Sequence, residues 1–105
     1  MRAIAYAQTG PSSVLRLVDR DVAEPGPGEV RVRIVVSGVN PTDWKARAGA
    51  GAGRPTPFPE VVPNQDGAGV VDAIGEGVTG IAKGARVAFM KRFGAHADVV
   101  CVPAA

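Results

Sequence analysis

Apolar and polar residues alternate with a period of two along several short stretches of the chain. The clearest is Glu29 to Val36, where Val30, Val32, Ile34 and Val36 are set against Arg31 and Arg33. That period is the mark of a strand with one face buried. Arg2 to Ala7 reads as a first strand with Ile4 and Tyr6 on one face, and Val14 to Val18 as a second with Leu15 and Leu17 sharing a face. Gly69 to Ile74, Arg86 to Phe89 and Ala95 to Val102 supply three more, the last ending at Pro103. Turn chemistry separates them: a Gly-, Pro- and Ser-rich segment from Gln8 to Ser13, two tight turns in Pro25-Gly26-Pro27-Gly28, and a glycine-rich connection from Gly75 to Gly84.

One stretch departs from the strand period. Asn40 carries a side-chain oxygen suited to the free N–H groups of a helix start, Pro41 sits where its missing N–H costs nothing, and Asp43 favours the positive end of the helix dipole. Gly49 supplies a left-handed stop. A short helix is therefore expected between Asn40 and Gly49. Beyond it, Gly49 to Pro63 has no period and is punctuated by Gly51, Gly53, Pro55, Pro57 and Pro59, which reads as a mobile loop. Six short strands and one brief helix predict a mainly β chain folded as a small antiparallel barrel.

Composition narrows the function classes. The 105 residues form a single domain, 1–105, and the 46% hydrophobic content excludes wholesale disorder. A net charge of +2, with no basic run longer than Lys91-Arg92, indicates no nucleic-acid surface. Cys101, the only cysteine, cannot form an intramolecular disulfide and suits a reducing cytoplasm. No apolar stretch reaches membrane-spanning length, and the N-terminus lacks a signal peptide's apolar region. A soluble, cytoplasmic protein is expected.

Candidate chemistry is sparse. Gly75-Glu76-Gly77-Val78-Thr79-Gly80 has the G-x-G-x-x-G spacing of a dinucleotide-binding turn, and it follows a strand. That fingerprint works only where a helix follows and aims its N-terminus at the pyrophosphate. Here Gly80 and Gly84 interrupt and a strand arrives at once, so a hairpin-like connection is expected. Gln65 and Asp66 precede Gly67-Ala68-Gly69, whose glycines admit close approach of another segment or of a ligand. Asp66 stands open between a site role and pairing with Lys45 or Arg47. Trp44, the only tryptophan, reads either as packing over the barrel with Ala48 one turn on, or as an aromatic wall for a flat ligand. His96 reads as structural and Cys101 as a buried, inert thiol. No Ser-His-Asp ordering is present, and no catalytic residue is assigned.

The runs "PGPGEVRVRI", "SGVNPTDWK", "VPNQDGAGVV", "GEGVTGIAKGARV" and "GAHADVVCVP" occur in that order over nearly the whole chain. Together they resemble the catalytic domain of the medium-chain dehydrogenase/reductase superfamily, in its zinc-independent quinone oxidoreductase branch. The resemblance implies a GroES-like, partly open β-barrel with one short helix. It implies NADPH as cofactor, a small-molecule quinone or enone as substrate, and direct hydride transfer between them. Asn40 and Gln65 stand where zinc-dependent relatives carry Cys and His, and two amides are not credible zinc ligands, so no metal is expected. By the same resemblance Asn40 contacts the nicotinamide ribose or the substrate, in addition to or instead of capping the helix. Gln65 lies beside the nicotinamide, and Trp44 shapes the substrate slot. The chain departs from the pattern in three ways. Ala85 replaces the usual acidic residue, Phe89 to Phe93 is a short loop, and the Rossmann domain that holds the dinucleotide is absent. Without that domain the chain is expected to be catalytically silent. An uncovered sheet edge would invite self-association into a homo-oligomer. The alternative is a non-enzymatic GroES-like barrel acting as an oligomerisation or interaction module.

Overall fold

β3 (Glu29–Ser37) is the strand on which the fold is assembled, and its sequence explains why. Val30 and Val32 are fully buried, while Arg31 and Arg33 point to the other face. The computed structural model describes residues 1–49 and 59–104. Within them β3 pairs antiparallel with β4 (Gly67–Ile74) on one side and with β6 (Val99–Pro103) on the other. β5 (Arg86–Phe89) adds to the outer edge of β4, giving a four-stranded sheet of order β5-β4-β3-β6. β1 (Arg2–Ala5) and β2 (Arg16–Asp19) form a separate two-stranded sheet. One helix, α1 (Pro41–Ala48), leaves the end of β3.

Main-chain bonds sew the two sheets together. Ala3 bridges Ala97 and Tyr6 bridges Val61, with Ile4 N donating to His96 O at 3.0 Å and Tyr6 N to Val61 O at 2.9 Å. At the other side the fold stays open. A cleft of about 440 Å3 separates Phe89, Met90 and Lys91 after β5 from Val102 and Pro103 on β6. The result is the mainly β, partly open barrel with one short helix that the sequence predicts. No described helix is long and apolar enough to cross a membrane. The loop expected over Gly49–Pro63 falls largely outside the described residues.

The core is aliphatic. Val30, Val32, Val71 and Val102 form its centre, with Ile34, Ile74, Val87, Phe89 and Val100 packed around them. Each fully buried side chain of that size contributes about 1.5–3 kcal/mol.

Several strand details differ from the alternation, and each has a local cause. A bulge between Ile34 and Val36 breaks the period, so Val35 and Val36 are 63% and 61% exposed in succession. On β1 the buried residues are Ala3 and Ala5 rather than Ile4, and the strand is paired on both edges, with β2 and with the chain around Ala97. Tyr6 is buried as expected. Ser12–Val14 forms a 3-10 turn, which removes Val14 from the second strand and leaves Leu17 exposed. The last expected strand is split: residues around Ala97 bond to β1, Asp98 O accepts the Ile34 N–H at 2.8 Å, and the ladder with β3 runs from Val99.

The turn from Gly75 to Gly80 carries no helix. Gly75 N donates to Glu29 O at 2.8 Å, and a Cβ at Gly75 would lie 2.0 Å from the carbonyl oxygen of Gly26. This glycine is required for one turn to pack against another, which leaves the G-x-G-x-x-G spacing without a phosphate-binding geometry.

Two stability outcomes follow from this packing. Val32→Ala is expected to lower the unfolding free energy in urea by about 2–3 kcal/mol, against less than about 0.5 kcal/mol for Val35→Ala on the exposed side of the bulge. Gly75→Ala is expected to cost about 1–3 kcal/mol through backbone overpacking. A Gly75→Ala chain as stable as the parent would contradict this account of the turn.

Candidate functional site

The pairing of β3 with β4 ends at Ser37 opposite Gly67. Residues 38–40, running out of β3, therefore lie beside residues 63–66, running into β4. Three bonds stitch the two segments: Gly38 N to Asp66 O at 2.9 Å, Asn40 Nδ2 to Asp66 Oδ1 at 2.7 Å, and Asn64 Nδ2 to Ser37 Oγ at 2.9 Å. The two polar stretches that the sequence sets apart thus share one rim. Asp66 has its partner in Asn40, and no ion pair to Lys45 or Arg47 is formed. Arg47 Nε instead donates to Gly10 O at 3.4 Å, and Lys45 Nζ sits 5.7 Å from the centre of the Trp44 ring.

α1 begins as its sequence dictates. Asn40 is the N-cap, in extended conformation, and forms a capping box with Asp43. Its main-chain N–H donates to Asp43 Oδ2 at 2.7 Å, and its carbonyl accepts the Asp43 N–H at 2.9 Å. Pro41 occupies the first turn, and Gly49 closes the helix in the left-handed region at φ 75°. The buried side chain of α1 is not an apolar one but Asp43, only 5% exposed. Its Oδ1 has no hydrogen-bond partner. Burial pushes the nearby Tyr6 phenol up, with Arg47 opposing and Asp43 reinforcing the shift.

Gln65 is half-buried next to Asp66, and its carbonyl accepts the Arg92 N–H at 2.9 Å. Trp44 does not pack into the barrel with Ala48, since both are exposed, Trp44 by 51%. α1 turns its carboxylate inward, and that leaves the indole on the outer side. Trp44 lines a cleft of about 140 Å3 together with Val39, Asp43, Arg47, Asn64 and His96. Neither Asn40 nor Gln65 lines this cleft, so the rim and the aromatic wall are neighbours rather than one pocket. The glycines after Asp66 serve chain packing: a Cβ at Gly69 would lie 2.0 Å from the Arg33 carbonyl oxygen.

Three features were not singled out from sequence. Asn64 is 5% exposed and sits at φ 71°, a left-handed conformation that asparagine tolerates. The burial of Asp43 and the Asn40–Asp66 bond are the others. An asparagine just before a glycine-rich strand was the available signal for the first. His96 takes part through its main chain, its N–H donating to Pro63 O at 3.1 Å, while its side chain is exposed. Cys101 is half-buried rather than buried. Its thiol lies 3.8 Å from Ala23 O, and burial pushes its pKa up, which keeps it protonated and unreactive. Among the described residues no three His, Cys, Asp or Glu side chains gather closely enough to hold a metal ion.

Comparison with known proteins matches residues 26–105 to the alcohol dehydrogenase GroES-like domain. The human synaptic vesicle membrane protein VAT-1 homolog-like is 36% identical over 103 residues, covering 98% of this chain and 24% of that protein. A probable quinone oxidoreductase of Schizosaccharomyces pombe is 34% identical over 101 residues, covering 95% of this chain and 30% of its own length. Among solved structures, the Escherichia coli quinone oxidoreductase complexed with NADPH superposes with a TM-score of 0.89 at 28% identity, over 99% of this chain and 31% of that one. The chain thus spans about a quarter to a third of the length of each of these three relatives. With the barrel, its order of motifs and these likenesses together, the chain belongs to the medium-chain dehydrogenase/reductase superfamily, as a GroES-like domain of the quinone oxidoreductase branch.

Proposed function

We propose that this chain supplies the catalytic-domain surface of an NADPH-dependent, zinc-independent quinone or enone reductase. The observation that carries the reading is the Asn40–Asp66 hydrogen bond, which brings the helix cap and the Gln65 segment to one polar rim. One relative is named a probable quinone oxidoreductase, and one solved neighbour is a quinone oxidoreductase complexed with NADPH.

The residues present fit one end of a dinucleotide. Asn40 and Gln65 offer neutral amides at a rim of half-buried polar groups, suited to a ribose hydroxyl and a carboxamide. Nothing around Gly75 suits the pyrophosphate, because that turn packs against Gly26 and precedes no helix. Bound NADPH supplies a hydride to an electron-poor C=C or quinone ring. Asn40 and Gln65 orient the reactive end of the cofactor, and Asn40 also reaches toward the substrate oxygen. Trp44, exposed on α1 in a separate cleft next to the rim, is proposed to wall an adjoining slot for a flat substrate. No side chain of the rim is assigned as proton donor, and water fills that role. The protein's contribution is placement and exclusion rather than covalent chemistry.

Domain 1–105 is in this reading a single unit, and catalysis requires a pyrophosphate cradle that the described residues do not form. The chain by itself is therefore proposed to be catalytically silent. The open side of the barrel and the exposed pair Val35 and Val36 favour self-association into a homo-oligomer. The lone cysteine accords with a cytoplasmic setting.

Titration of the isotopically labelled chain with millimolar NADPH tests the reading. Amide shifts are expected at Asn40, Gln65 and Trp44, with weak, saturable binding that Asn40→Ala reduces about tenfold, the loss of one well-formed polar contact. Perturbations confined to the opposite end of the barrel would overturn it.

A further inference from the structure

We propose that Asp66 is a positioning residue, which fixes the carboxamide of Asn40 before any ligand arrives. The inference rests on the cofactor reading above and extends it to a residue with no contact to the reacting atoms.

Asp66 Oδ1 accepts from Asn40 Nδ2 at 2.7 Å, a distance typical of a charge-assisted bond. An ionised carboxylate can only accept, so it selects the NH2 end of the carboxamide and settles which way the amide faces. Asn40 is held from a second side as well, by Asp43 Oδ2 on its main-chain N–H at 2.7 Å. Two carboxylates from different elements, one on α1 and one at the start of β4, thus fix both the backbone and the side chain of Asn40.

The fold makes room for this hold. A Cβ at position 38 would lie 2.8 Å from Asp66 Oδ1 and 3.0 Å from its Cγ, so Gly38 leaves the volume that the carboxylate occupies. The Gly38 N–H, donating to Asp66 O at 2.9 Å, anchors the backbone of the same residue. Among the described residues no ion pair to Asp66 is formed: Arg47 donates to the Gly10 carbonyl and Lys45 lies over the Trp44 ring. A side chain held by a second layer of hydrogen bonds loses less rotamer freedom on binding, and the ligand then meets a rim already in place.

The Asn40 side-chain NH2 pair, assigned in 15N-labelled protein by its loss in Asn40→Ser, reports the hold directly. In the parent its two protons are expected well separated in shift and slow to exchange with water. Asp66→Ala should return both to the values of a free asparagine. Gly38→Ala should do the same with Asp66 intact, by displacing the carboxylate, and so serves where Asp66→Ala fails to fold. Asp66→Asn, which keeps an acceptor oxygen but no charge, should fall between. Asn40 resonances unchanged in Asp66→Ala would overturn the proposal, whatever happens to the melting temperature.

NADPH titration separates this inference from the reading beneath it. Asp66→Ala and Asn40→Ala are each expected to weaken binding about five- to tenfold, and the double variant no further, since one acts through the other. Weakening by Asn40→Ala alone would leave the cofactor reading standing and remove the positioning role. No change with either variant would overturn both.

Discussion

Everything at the candidate site depends on the antiparallel pairing of β3 with β4. Its register sets Ser37 against Gly67, and the residues just beyond each strand then have nowhere to go but alongside one another. A slip of one residue would turn Val30 and Val32 out of the core and carry Asn40 away from Asp66. The same aliphatic burial that stabilises the sheet therefore fixes the geometry of a polar rim several residues away. Core and site are not independent parts of this sequence.

The bulge in β3 shows how this coupling is tuned. Between Ile34 and Val36 the strand carries one residue more than its partner, and from there on the pattern of exposure changes. The backbones approach closely enough at this point that only glycine fits at position 69. A bulge of this kind bends the strand that carries it, here the last part of β3 before α1. It also explains why Val35 and Val36 face solvent. Their apolar character serves a surface rather than the core.

Much of the fold was legible because it is local. The alternation over Glu29 to Ile34, the Asn40, Pro41 and Gly49 boundaries of the helix, and the refusal of Gly75 to open a phosphate-binding helix all follow from neighbours in the chain. What escaped the sequence is long-range. A period of two does not reveal a bulge, so Val36 was read as buried. Nor does it tell which face of β1 is covered, and the buried residues of that strand are Ala3 and Ala5 rather than Ile4. Of the two readings open for Trp44, packing over the barrel is not the one the fold adopts, because α1 buries Asp43 and turns the indole outward. The Asn40–Asp66 bond spans 26 positions, and no local pattern encodes its partner choice.

The electrostatics of the rim follow from that choice. Asp43 and Asp66 are each bound to a different N–H of Asn40, while Arg47 and Lys45 are engaged elsewhere. A neutral amide between two committed carboxylates is a group of fixed orientation and low mobility, set before any ligand reaches the rim. The most direct measurement is a 15N-edited NOE spectrum of the labelled chain, read at the Asn40 side-chain amide. The account expects strong cross-peaks from its Nδ2 protons to the β protons of Asp66. Cross-peaks to its own helical turn alone, with none to Asp66, would contradict it.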